Sequence, residues 1–145
     1  LDSRYLRADG VDPASLAGVI GLAGPYDFLP LHSEKLKILF GPPSERPLSQ
    51  PINFVTPHAP PMLLAAGTAD TTVDPGNTLR LAARLRRDDV PVDEKLYRGI
   101  GHRLLIGAFA GPLAFLAPVR RDTLQFIAAH SAASAARTAC MEGGR

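Results

Sequence analysis

The feature that most constrains this chain lies between residues 62 and 97, where an apolar run, a turn, a helix signal and an alternating run follow one another. Met62-Leu63-Leu64-Ala65-Ala66-Gly67 has no polar side chain, so it suits a strand covered on both faces, as in parallel sheets. Gly67-Thr68 stops it. The helix signal begins at Asp74, which can N-cap, with Pro75 suited to the first helical position. Asn77, Arg80, Arg84 and Arg87 recur at helical spacing as a polar face, opposite an apolar face of Thr78, Leu81, Ala82 and Leu85. Residues 91–97 alternate well enough for another strand. Strand, helix and strand in that order indicate an α/β fold with a parallel sheet.

The remaining segments extend this pattern. Residues 16–24 form a second short apolar run bounded by turn formers, again suited to a strand buried on both faces, and Pro25-Tyr26-Asp27 ends it. Residues 33–40 have helical spacing at Leu36, Leu39 and Phe40, with Ser33 as the N-cap. Seven prolines between residues 41 and 61 make that stretch a long irregular connection, of the kind that is usually functional or mobile. Residues 104–116 are mostly apolar, broken by Pro112. Pro118 restarts a helix in which Leu124, Ile127 and Ala128 can share a buried face. From Ser131 alanine and serine dominate, so the expected division is a partial domain over 1–130 and a flexible tail over 131–145. There are no repeats. Three strands make a small sheet with unprotected edges, and self-association through such an edge is expected.

Charge and cysteine content narrow the function classes. The 145 residues suffice for one domain. Sixteen Lys and Arg against fourteen Asp and Glu leave a net charge of only +2, and the arginines of the central helix read as a solvated outer face. No nucleic-acid partner is expected. The single cysteine, Cys140, excludes an internal disulfide framework. No run approaches the roughly 18 apolar residues of a membrane span. The chain opens on Leu1 rather than Met, as though cut from something longer, so this N-terminus does not report the compartment; the balance leans to the cytoplasm.

Two elements carry chemistry. Gly67-Thr68-Ala69-Asp70-Thr71-Thr72-Val73 places an acid just beyond one strand, and Gly99-Ile100-Gly101-His102 places a histidine just beyond the next. In open α/β sheets, ligand sites lie beyond the carboxyl ends of the strands, so both side chains reach one rim. A carboxylate there can hold an imidazole in one tautomer and stabilise its cation, the supporting half of a serine-hydrolase triad. Taken singly, Asp70 reads as a loop residue capping a turn and His102 as a structural or exposed histidine. Their order after successive strands favours the functional reading over both.

On these residues the chain resembles the C-terminal part of α/β-hydrolase-fold esterases and lipases, especially the small carboxylesterases of feruloyl-esterase-like and kynurenine-formamidase-like type. The matching segments are Gly21-Leu22-Ala23-Gly24-Pro25-Tyr26-Asp27-Phe28, the acid loop from Gly67 to Val73, and Leu96-Tyr97-Arg98-Gly99-Ile100-Gly101-His102. Pro51-Ile52-Asn53-Phe54-Val55 and Pro60-Pro61 also fit. The resemblance runs from about Leu1 to Ala129 but spans only the second half of the family's fold: a mainly parallel sheet of about three strands with flanking helices. It implies Asp70 as triad acid and His102 as base. In this family the nucleophile precedes both, in a Gly-x-Ser-x-Gly elbow. No such motif occurs in these 145 residues, and the resemblance places it shortly upstream of Leu1, together with the oxyanion hole. Ala23 and Arg98 depart from the Ser and Pro expected of relatives, without touching the triad. None of Ser3, Ser15, Ser33, Ser44, Ser49, Ser131 or Ser134 sits on a tight glycine-flanked strand-to-helix turn, so none replaces the nucleophile.

The other candidates rank lower. Tyr26 and Asp27 follow a strand and are candidate substrate-wall residues, with turn chemistry and capping by Asp27 as the alternative. His32, His58 and His130 lack metal-ligand spacing, so neither a metal nor a cofactor is expected. Three functions follow. The first is a piece of a carboxylic-ester hydrolase, inactive alone and acting on a small-molecule ester once complete. The second is a non-catalytic remnant or interaction module pairing through a sheet edge. The third is a serine peptidase of the prolyl-oligopeptidase type, which shares the Asp and His pattern.

Overall fold

A computed structural model describes the backbone of residues 1–142 and the side chains of residues 1–131. Three parallel strands, β1 (Val19–Leu22), β2 (Met62–Gly67) and β3 (Val92–Tyr97), form one open sheet in the order β1-β2-β3. Val19 pairs with Met62 and Met62 with Val92, and the register runs on without a bulge to Gly67 and Tyr97.

The middle strand explains the run that dominates the sequence. All six β2 residues are buried because β2 has a strand on each side and a layer on each face. Its alternate residues feed two cores. Met62 and Leu64 pack with Leu81, Ala82, Leu85 and Val90 under α3 (Gly76–Arg87), whereas Ala65 packs with Tyr97, Leu105, Ala108, Ala117 and Val119 on the other face. Leu64, Leu81 and Leu85 are each at most 1 % exposed, and burying one such side chain contributes about 1.5–3 kcal/mol.

The ends of α3 follow from local chemistry. Pro75 takes the N-cap position, one residue before the helical place expected of it, where its missing N–H costs nothing, and the Asp74 carboxylate accepts the Gly76 N–H at 3.0 Å. At the far end Asp89 takes a left-handed conformation, φ 55°, so that the Val90 N–H reaches the Leu85 carbonyl at 3.0 Å. Val90 packs on Leu85, which completes a Schellman stop without glycine.

Three short helices, a longer one and several 3-10 turns complete the described residues: α1 (Ser3–Ala8), α2 (Glu34–Leu39), α4 (His102–Gly107) and the longer α5 (Val119–Glu142). The proline-rich connection contains two such turns, Arg46–Ser49 and Pro51–Phe54. Among the described residues no helix is long and apolar enough to cross a membrane.

Three further expectations are corrected. The apolar run of residues 16–24 is not buried on both faces: all four β1 residues are half-buried, because β1 is an edge strand. Asn77 is not on the outer face of α3; it is 4 % exposed, and its side chain binds backbone of the β1–α2 loop. Leu124, Ile127 and Ala128 do not face the core. Leu124 and Ile127 are 54 % and 45 % exposed, while Val119, Asp122, Thr123 and Phe126 are buried instead. The apolar residues of α5 do not mark a single stripe, and the docking of Val119 against Leu105 and Ala108 sets which side turns inward. The side chains of the expected tail past Ser131 lie outside the described residues; the backbone there continues α5 to Glu142.

Candidate active site

The acid and the base hang from the C-terminal ends of adjacent strands, and the backbone joins their loops before any side chain does. Thr68 N–H donates to the Tyr97 carbonyl at 3.0 Å, Ala69 N–H to the Ile100 carbonyl at 3.1 Å, and Gly99 N–H to Thr68 Oγ1 at 2.9 Å. Two glycines make this approach possible. A Cβ on Gly67 would stand 2.0 Å from the Ile100 carbonyl oxygen, and Gly99 adopts φ +72° to turn the chain back. His102 is then the first residue of α4.

Asp70 Oδ2 lies 2.8 Å from His102 Nδ1. Asp70 Oδ1 accepts the Thr72 and Val73 N–H groups at 2.8 and 2.9 Å. The carboxylate side chain is fully buried and the imidazole is 30 % exposed. Burial works against ionisation of Asp70, but the Val73 N–H, the His102 ring and the Thr72 N–H together outweigh it, so the carboxyl is held below its ordinary range. An ionised carboxylate can only accept, so Nδ1 must carry a proton. In the neutral ring the Nε2 lone pair is then free, and Nε2 has no partner among the described residues. The arrangement can take a proton at Nε2 and stabilise the resulting cation.

The two candidate wall residues part company. Asp27 lines a groove of about 580 Å³ together with Phe28, Leu36, Phe40, Thr72 and Val73, and its carboxylate takes the Arg80 Nε–H at 2.6 Å. Tyr26 turns inward instead. Its ring lies against Gly21 and Gly24, where a Cβ would come within 2.6 Å of it, and burial pushes its phenol up, opposed by a Gly24 backbone hydrogen bond. The missing side chains at Gly21 and Gly24 make room for the ring, so it fills core space rather than fronting the groove.

The roles of four polar side chains went unread in the sequence. Buried Asn77 and Gln50 hold the β1–α2 loop; an amide one helical turn beyond a capping aspartate was the available signal for the first. The Tyr97 hydroxyl donates to the buried Asp122 carboxylate at 3.0 Å, tying the end of β3 to α5. Burial raises the Tyr97 pKa, and the neighbouring carboxylate raises it further. No cluster of three His, Cys, Asp or Glu stands where it could hold a metal among the described residues.

Comparison with known proteins gives the following. A model of the prolyl oligopeptidase family matches residues 42–130, more than half of the chain. A carboxylesterase from Lactobacillus plantarum WCFS1 superposes with TM-score 0.64 at 16 % identity, over 79 % of this chain and 45 % of its own. A truncated carbohydrate esterase from gut microbiota gives 0.63 at 24 % identity, over 81 % and 43 %. Thermogutta terrifontis esterase 2 gives 0.57 at 20 % identity, over 77 % and 40 %. At these identities the likeness shows the fold, and the chain spans less than half the length of each. No curated protein sequence matches.

Proposed function

This chain belongs to the prolyl oligopeptidase family, within the α/β-hydrolases, and from that premise we propose that it supplies the acid and base of a serine-hydrolase triad. The observation that carries the proposal is the Asp70 carboxylate, buried with both oxygens bonded: two backbone N–H groups on one and His102 Nδ1 on the other. A charge this desolvated is retained where orientation of the imidazole matters, which an interaction module does not need.

In this reading His102 Nε2 removes the proton from a serine hydroxyl as that oxygen attacks an acyl carbon, then returns it to the leaving group. Asp70 keeps the ring in the competent tautomer and stabilises the imidazolium. The serine and the oxyanion donors come from protein outside these 145 residues, which contain no Gly-x-Ser-x-Gly. The proposed substrate is a small carboxylic ester, in keeping with the esterases that share the fold. The family match favours a second reading, cleavage of a peptide amide.

Co-expression with a serine-elbow half tests both. The chain alone should hydrolyse p-nitrophenyl acetate no faster than its His102→Ala variant. The reassembled enzyme should turn the ester over, and His102→Ala should lower that rate by about 10³-fold or more. Faster cleavage of glycyl-prolyl-p-nitroanilide than of the ester would select the peptidase reading. Ester hydrolysis by the lone wild-type chain, or a reassembled enzyme indifferent to His102→Ala, refutes the proposal.

A further inference from the structure

Four consecutive backbone N–H groups in the loop that follows β1 are taken by two buried side-chain amides. Asn77 Oδ1 accepts from Tyr26 at 3.0 Å and Asp27 at 2.8 Å. Gln50 Oε1 accepts from Phe28 at 2.7 Å and Leu29 at 3.3 Å. These four donors fix which way each amide points, since an NH2 in place of either oxygen would face N–H groups. Asn77 Nδ2 donates to the Asp74 carbonyl and Gln50 Nε2 to Ser49 Oγ, each at 3.0 Å, so both NH2 groups are also partnered. Asn77 is 4 % and Gln50 2 % exposed.

A surface loop normally satisfies its N–H groups with water. Here the partners are side chains brought from 21 to 51 residues away, out of the proline-rich connection and the first turn of α3. Amides buried in this way fix a conformation when fully satisfied and are costly when one bond is lost. The stretch bearing Asn77 is also the one that holds the acid: Thr72 and Val73 N–H bind Asp70, and the Asp74 carbonyl takes both the N–H and the Nδ2 of Asn77. Arg80, one turn further along α3, adds the Asp27 carboxylate and its carbonyl at 2.6 and 2.7 Å. The loop of residues 26–29 is therefore tied to the Asp70 loop by side chains rather than by sheet pairing.

Resting on the triad reading above, we infer that Asn77 and Gln50 are positioning residues for specificity. They touch no reacting group. They hold Phe28 and Leu29 at a set distance from Thr72 and Val73 across the groove beside the acid, and so decide the width of the apolar group it admits. Loss of either amide lets this wall move without changing the acid–base pair.

The test uses the 145-residue chain, isotopically labelled, with p-nitrophenol as the groove probe. Asn77→Leu should speed amide exchange at Tyr26 and Asp27 by tenfold or more and weaken p-nitrophenol binding by about tenfold, read from the Phe28 and Val73 shifts. Gln50→Leu should do the same at Phe28 and Leu29. Gln50→Glu keeps both acceptor bonds, and the Ser49 hydroxyl can turn its hydrogen to the second oxygen, so it should restore the protection and binding that Gln50→Leu loses; it carries the test if the leucine variants do not fold. The hydrogen-bonded His102 Nδ1 proton should stay in place in every folded variant, and its absence from the wild type would count against the triad reading rather than this one. Unchanged binding and protection in Asn77→Leu, no response of the wild-type groove to millimolar probe, or failure of Gln50→Glu to rescue overturns the inference.

Discussion

Asp70→Asn changes few atoms and tests the most specific geometry in the molecule. The amide keeps one carbonyl oxygen for the Thr72 and Val73 N–H groups but sets an NH2 where Oδ2 accepts from His102. Three hydrogen bonds to a charged acceptor become three between neutral groups, two on the amide oxygen and one from its NH2 to His102 Nδ1. With about 1.5–3 kcal/mol for each charged bond and about 0.5–1.5 for each neutral one, the gross loss is about 3–4.5 kcal/mol. Relief from burying a charge returns part of it, leaving a net loss of about 1–3 kcal/mol, at roughly 2–4 °C in Tm per kcal/mol for a chain of this length. The loss depends on pH in a defined direction. Asp70 titrates below its ordinary value in the folded chain, so the folded state binds fewer protons there than the unfolded one. Its stabilisation is complete above the unfolded pKa of about 3.9 and disappears as pH falls through the lowered folded value. Thermal melts of both proteins should therefore differ fully at pH 7 and converge below about pH 4. The amide must also donate to Nδ1, which moves the neutral ring's proton to Nε2 and removes the base; nitrogen NMR of His102 reads that exchange directly. Equal melting at pH 7, a gap that does not narrow as pH falls below about 4, or a retained Nδ1 proton in the variant would refute the reasoning.

Two further outcomes follow from the sheet. β1 and β3 are both edges, but β3 carries Asp93, Glu94 and Lys95, whereas residues 16–24 hold no charge to discourage pairing. We expect the chain to run as a dimer or larger species at tens of micromolar in size-exclusion chromatography. Val19 and Ala23 N–H bind β2, so by alternation the Ile20 N–H faces the open edge, and Ile20→Pro should yield monomer while keeping the fold; a monomeric wild type would count against edge pairing. Gly67→Ala forces a Cβ to within 2.0 Å of the Ile100 carbonyl oxygen, a backbone atom that no rotamer change can move. It should cost roughly 3 kcal/mol or more and erase the His102 Nδ1 signal together with the melt, whereas full retention of both would show that the two loops are not in contact.

Much of this was legible in the chain because it depends on short-range chemistry. The β2 run reads as buried from six residues alone, and Asp74-Pro75 marks the start of α3 before any packing is known. Asp70 and His102 stand out because each follows a strand that a parallel sheet must align with its neighbour. The elements misread were those whose local pattern is ambiguous. Residues 16–24 look the same whether they form a central or an edge strand, and α5 has no marked apolar face of its own. Asn77 has the spacing of an exposed helix position, and its burial comes from a loop some fifty residues away.

The sequence by itself determined the elements, their parallel order and the pair of titratable residues at the strand ends, because hydrophobic period, caps and turns act over a few residues. The tertiary structure alone decided what those elements touch. It brought Asp70 Oδ2 to 2.8 Å from His102 Nδ1, turned Tyr26 into the core while leaving Asp27 on the groove, and set Asn77 and Gln50 against four successive N–H groups. Each of these depends on where a second element lies, to within about an ångström, and that placement is fixed by the collective packing of two cores around β2, for which no short stretch of chain holds the information.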